Sequence, residues 1–253
     1  MKKRCGFRMV LYELRNINGN FMTHFWGIVF PNFMCVLLAK TVGSQVPGEM
    51  RREVVTSIFL SMSLVIPMSI MFLGYGALYS QEVERGIPLR MRFFGYSKKN
   101  EITAKITAHL IFLSIAFVIY GVFQTAVMKL SRPAISSFLC LMASLYLIGV
   151  LFLIIAHALA EIFKKFSITF GVSMCLYFMM MLLTGMMGIK TEQLPKTLQK
   201  AARLFPMTYI SNDFGDFWQG GSYNFMPYIQ SLLFLGAVSG ILLLISVFQR
   251  NSD

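Results

Sequence analysis

Charge is what this sequence has least of. Only 13% of its 253 residues are Asp, Glu, Lys or Arg, about half the ~25% of an ordinary soluble domain. Acids are the scarcer sign, 11 against 23 basic residues, which leaves a formal net charge of +12. Cysteine is sparse as well. Cys5, Cys35, Cys140 and Cys175 form no CxxC pair, and three of them lie in apolar stretches. That excludes a zinc ribbon and a disulfide framework, and the thiols read as small buried apolar side chains. Catalytic signatures are missing too. There is no HExxH, no GxSxG, no pair of intramembrane aspartates and no calcium loop. Without GxxxxGK[ST], the chain is expected to hold no nucleotide phosphate of its own. It reads as a non-enzyme with no catalytic residue, cofactor or metal.

What is present is apolar length. Hydrophobic residues make up 56% of the chain, which speaks for lipid as the solvent and against a nucleic-acid binder of equal charge. A helix needs about 20 mainly apolar residues to cross the hydrocarbon core. Six stretches qualify, at about 21–42, 56–79, 102–128, 134–158, 167–189 and 226–248. The first run begins after a tail with its own helical pattern and is long enough to span, so it is not a cleavable signal. The expected fold is all-α, with residues 1–20 as an interfacial helix and 21–253 as a six-span transmembrane domain.

Six spans put both termini on one side. If that side is the cytoplasm it receives fourteen basic residues, including Lys2, Lys3, Arg4, Arg8 and Arg15, against nine on the other. The bias favours cytoplasmic N- and C-termini in a multi-pass protein of the cell membrane. The remaining cations are expected to meet lipid headgroups.

Three shorter patterns stand out. Phe7, Val10, Leu11, Leu14 and Ile17 recur at helical spacing with Arg8 and Arg15 between them, the pattern of an amphipathic helix in the membrane interface. An N-terminal extension of the first span is the alternative. Between spans five and six, Leu194, Leu198, Ala201, Ala202 and Phe205 make another apolar stripe, with Pro195 at its start and Pro206 past its end. A second amphipathic helix is expected there, followed by a turn at Gly220–Gly221. Gly236 and Gly240 form a GxxxG in the last span, which lets two helices approach closely.

Polar groups inside the spans are few: Asn32, His109 and His157, with His24 and Lys105 near span ends. Intramembrane ionisable residues are functional candidates, yet no span carries an acid at mid-depth, which argues against an ion-coupled carrier. His157 and Glu161 sit four apart, a spacing open to a metal, but also where a charge naturally ends a helix. Phe25, Trp26, Tyr75, Tyr79, Tyr120, Tyr209 and Trp218 fall near span ends, as interfacial belts do. The densest polar segment is the second loop, where Glu82, Glu84, Arg85, Gly86, Arg90 and Arg92 mix both signs around a glycine turn. Such a loop is either a solvated connector or a docking point for a partner of complementary charge.

Over nearly its whole length the chain resembles the six-span permeases of type 2 ATP-binding-cassette (ABC) exporters. The resemblance rests on the Phe7–Ile17 element, on the run Glu82-Val83-Glu84-Arg85-Gly86, and on Leu194-Pro195 through Phe205-Pro206-Met207-Thr208-Tyr209. It implies that Phe7–Ile17 is the family's connecting helix and that Glu82–Arg92 is the coupling helix seated in an ATPase subunit. It further implies that Leu194, Pro195, Leu198, Phe205, Pro206 and Tyr209 belong to extracellular gate helices. The implied partners are a cytoplasmic ABC ATPase, which would hold ATP and Mg, and a second permease copy or paralogue. Spans one, two and five would line the path. With 19 Met and 24 Phe, the spans suit a drug, peptide or lipid-like cargo, because thioethers and aromatics tolerate varied shapes. Those side chains would equally suit a lipid-facing surface. Two rivals remain at this point: a secondary carrier of two three-span repeats, and a membrane anchor or sensor using Glu82–Arg92.

Overall fold

The computed structural model describes residues 6–187 and 191–252, and among these there is helix but no strand. A short helix α1 (Phe7–Asn18) precedes the first span, α2 (Phe21–Gly43). The second span is α3 (Met50–Glu84), followed by the short α4 (Ile87–Phe93). Spans three to five are α5 (Lys98–Val127), α6 (Ile135–Phe163) and α7 (Phe166–Leu183). A 3₁₀ turn at Thr191–Gln193, α8 (Lys196–Ala202) and α9 (Pro206–Trp218) lead to the last helix, α10 (Phe225–Ser252). Among the described residues, six helices are therefore long and apolar enough to cross a membrane, and the chain is an all-helical, multi-pass membrane protein.

The observed helices α3 and α6 outrun the expected spans, at 50–84 against 56–79 and at 135–163 against 134–158. Hydropathy reports where a helix leaves the hydrocarbon, not where it ends. Arg51, Arg52 and Glu53, and then Gln81 to Glu84, are good helix formers that carry α3 on into the headgroup zone. Span five ends at Leu183 rather than 189, and residues 188–190 lie outside the described residues. The tail is a helix of its own. It stops at Asn18, and Asn20 Oδ1 then accepts the Met22 N–H at 3.0 Å, capping a new helix start.

The core gathers around α3. In its most apolar window 89% of residues are buried, against 22–44% in the other spans. Small residues make this possible. A Cβ on Gly149 of α6 would sit 3.3 Å from both Pro67 and Met71, and one on Gly76 would sit 3.4 Å from Ala156. Prolines supply the irregularity. Pro67 cannot donate to the helix ladder, and the next seven residues, Met68–Gly74, take π-helical form. Pro31 follows a second such stretch, Phe25–Val29, and Asn32 Nδ2 donates back to Ile28 O at 2.7 Å. The two π segments meet where Gly27 faces Ile70, and there a Cβ would lie 2.6 Å from Ile70 Cγ1.

Two expectations need correction. The Gly236/Gly240 pair does not bring helices of this chain together, since a Cβ on either would meet nothing within 4 Å. The last span packs through another face, where Ser231, Leu235, Ser239 and Ser246 are buried. Those hydroxyls turn back on their own helix, donating to Tyr228, Gly236 and Leu243 carbonyls at 2.7–2.8 Å, so serine supplies the small polar-satisfied surface. The aromatic belt is also different. Tyr75, Tyr79, Tyr120 and Trp218 are buried in the bundle, because each polar tip finds a partner inside.

Candidate functional site

The second loop divides into an inward and an outward half. Gly86 takes a left-handed backbone (φ 68°), which only glycine adopts freely, and α4 turns away from the end of α3. Arg85, Leu89, Arg90, Arg92, Phe93 and Phe94 are all exposed, with Phe93 at 82% and Phe94 at 68%. Basic and aromatic side chains thus share one projecting surface, a composition typical of interface anchors. Glu82 and Glu84 are not on it. Glu84 Oε2 accepts the Phe166 N–H at 2.9 Å, satisfying a free donor at the start of α7 where the helix dipole favours an anion.

Glu82 points into the bundle and is buried. Its Oε2 lies 2.5 Å from Lys105 Nζ of α5, and its Oε1 accepts Asn16 Nδ2 of α1 at 3.0 Å. Lys105 also donates to both oxygens of Glu13 at 3.0 Å. All three charged side chains are under 8% exposed. Burial pushes the Glu13 carboxyl above its ordinary range; the Lys105 ammonium pulls against that shift and the Glu82 carboxylate adds to it. One cation therefore ties α1, α3 and α5 through two acids. Removing it would strand two charges in a low-dielectric site.

Glu13 escaped the sequence reading, and its burial corrects the expected face of α1. The inward face is Met9, Glu13 and Ile17, with Val10 and Leu14 packed beside it and Leu11 half-buried, while Phe7 is 79% exposed. The available signal was a matching pair. Glu13 is the one acid at apolar spacing in α1, and Lys105 is the one basic residue well inside the start of a span.

A second polar cluster lies beside the first. Tyr79 donates to Glu161 of α6, Lys98 Nζ of α5 reaches the same carboxylate at 2.9 Å, and Tyr75 OH bonds His157 Nδ1 at 2.8 Å. His157 and Glu161 are thus engaged with α3 and α5, and no group of three or more His, Cys, Asp or Glu among the described residues is placed to hold a metal. The end of α3 that carries α4 is consequently fastened to α1, α5, α6 and α7 by charged or polar contacts.

At the opposite end α8 and α9 form two short helices. Leu194 and Phe205 are half-buried and Pro206 buried, while Pro195 and Leu198 are exposed and Tyr209 OH donates to Arg203 O at 3.0 Å. The six residues do not make one apolar surface. Sequence reasoning placed one helix there and the structure has two; α9 is the buried one, contributing Met207, Ile210, Phe214 and Trp218 to the core. Ser61 Oγ of α3 donates to Ser211 O at 3.2 Å, and the Trp218 ring lies tilted against Phe59 with its Nε1 donating to Ser131 O at 3.0 Å. A vestibule of about 450 Å³, lined by Glu53, Asp213 and Asp216 among others, opens between α3 and α9. Asp213 is raised above the usual carboxylate range, by burial first and by Glu192 second.

Six spans, a short helix before the first, a projecting helix after the second and a helix pair before the sixth define the membrane component of a transporter. Comparison with known families agrees. A model described as ABC-2 family transporter protein matches residues 35–248, and the chain belongs to that family. No curated protein and no solved structure matches it. It is accordingly a permease component of an ABC transporter, a family whose members work with an ABC ATPase.

Proposed function

We propose that this chain is the translocating half of an ATP-driven exporter in the cell membrane, with both termini cytoplasmic. It pairs with a second permease, identical or paralogous, and docks its ATPase through α4. ATP and Mg belong to that ATPase; none of the residues described above is suited to phosphate transfer. The observation that supports this best is α4 itself, a short basic and aromatic helix standing clear of the bundle on the one span that is buried on nearly all sides.

The geometry suggests how force would travel. Closure of an ATPase dimer moves α4, and α4 is continuous with α3 across a single glycine turn. The inner end of α3 is bound to α1, α5, α6 and α7, so the displacement is shared by the helix ends instead of bending one loop. Further along, the π segments and Gly27–Ile70 contact give α3 and α2 a place to flex. The far end of α3 carries α9, which would be shifted as a gate. Each conformation must differ in its contacts for nucleotide to bias the equilibrium. The cargo is a hydrophobic or amphipathic molecule, of drug, peptide or lipid type, suited to the apolar spans.

The test is purification from the native host in mild detergent. A stoichiometric ATPase subunit, lost when Arg85, Arg90 and Arg92 are changed together to Glu while the permease still folds, supports the reading. A chain that emerges alone sinks it and favours a carrier.

A further inference from the structure

On the face opposite α1 the basic residues are not scattered. Among the described residues there, Lys40, Arg51, Arg52, Lys129 and Arg132 line one cavity of about 880 Å³. Its walls are the end of α2, the start of α3 and the connection between α5 and α6. All five side chains are exposed, and none pairs with a carboxylate among the described residues. Like charges around one mouth repel, and this is the side where the orienting bias calls for fewer cations.

The rim is built rather than loose. Arg52 donates to Leu130 O from Nε at 3.1 Å and Nη2 at 2.8 Å. Ser131 N–H donates to Thr56 Oγ1 at 2.9 Å, and Ser131 O accepts from Trp218. Beside this rim the basic cavity adjoins a second one of about 500 Å³, and Thr125, Leu130, Ser131 and Pro133 line both. The second is a groove between α5 and α6, mostly apolar, with Val118 and Val122 each 65% exposed along it.

A cationic mouth adjoining an apolar groove matches one kind of molecule. We infer that this site holds an anionic phospholipid of the leaflet opposite α1, its phosphate among the five cations and an acyl chain between α5 and α6. The inference needs only a membrane-spanning chain and stands whether or not the export reading does. Free phosphate shares the headgroup chemistry, but it would leave the groove unused.

The test uses the full-length chain, measuring thermal unfolding and native mass spectra after addition of phosphatidylglycerol, phosphatidylcholine with the same chains, or inorganic phosphate. Phosphatidylglycerol is expected to stabilise the protein and to remain bound as one adduct, with neither effect from the other two. Arg51→Gln, Lys129→Gln and Arg132→Gln together should weaken that binding by at least about tenfold, given what each interfacial cation contributes. Arg52 is left in place because it holds the rim. Gly121→Phe fills the groove without altering charge, and a side chain there starts in open space; it should abolish lipid stabilisation. Val118→Trp serves the same purpose if that variant does not fold. Equal stabilisation by phosphatidylcholine would overturn the proposal in favour of ordinary annular lipid. Stabilisation by inorganic phosphate that survives both groove variants would overturn it in favour of a free-anion site.

Discussion

Spans two and six are about equally apolar, with mean hydropathies of 2.0 and 2.5 over their best windows, yet 89% of one window is buried and only 22% of the other. Hydropathy therefore says that both leave water and nothing about whether protein or lipid replaces it. What separates them is where small and polar side chains fall. Around α3, Ser61, Ser63, Ser69, Gly74, Gly76 and Ser80 occur on several faces, so neighbours can approach from every direction. Along α10 the buried small residues follow one stripe, Ser231, Ser239 and Ser246, and α6 is the main neighbour of this helix. Glycine behaves oppositely in the two. Gly74 lies against Thr23 with a Cβ distance of 3.1 Å, whereas Gly236 and Gly240 face open space.

The contrast is broken most severely at the inner end of α3. Lys105→Met should cost about 3–5 kcal/mol, because Glu13 and Glu82 are left buried without a cation. Denaturant unfolding in micelles reads the loss. Adding Glu13→Gln and Glu82→Gln to that variant should recover most of it. A near-neutral Lys105→Met would show that α3 is not anchored through this cluster.

The next effect tests whether close approach, and not apolarity, makes α3 the core. Gly27→Val places a Cβ 2.6 Å from Ile70 Cγ1, and overpacking of this kind costs about 1–3 kcal/mol. Ile70→Ala in the same chain should return part of it, which a double-mutant cycle measures directly. Strictly additive losses would mean that the π segments do not touch in the working protein. Trp218→Phe comes third. It leaves Ser131 O without its donor, a loss of about 1–2 kcal/mol, and thermal unfolding should show a smaller shift than Lys105→Met produces.

The same contrast explains what sequence alone disclosed. The six spans were legible because apolar length is a one-dimensional property, and α1 was legible because its spacing repeats every turn. The centrality of α3 was not, since burial depends on neighbours from α2, α5, α6, α7 and α9. Glu13 was hidden for a related reason. A carboxylate at apolar spacing reads as an interruption until Lys105, 92 positions away, is seen beside it. In the second loop, residue types placed five charges around a glycine on one surface, while the helical turn sent Glu82 inward and Glu84 to cap α7. The second outer helix, α9, lay beyond the apolar stripe, and its Asp213 and Asp216 sit on the exposed side of an otherwise buried helix.

The smallest expected effect is the one that sharpens the comparison furthest. Gly240→Leu adds a large side chain in the middle of a span, but into space where, among the described residues, the new Cβ meets nothing within 4 Å beyond the backbone of its own helix. Folding of the single chain should therefore change by no more than about 0.5 kcal/mol, as at an unconstrained surface position. A loss of several times that amount would show that α10 packs on something besides the stripe of Ser231, Leu235 and Ser239. Cross-linking of paired chains divides the remaining cases. If pairing persists, the glycine face of α10 meets lipid. If pairing alone fails while folding is kept, the GxxxG works between two permeases, and the motif was informative about assembly though not about the fold.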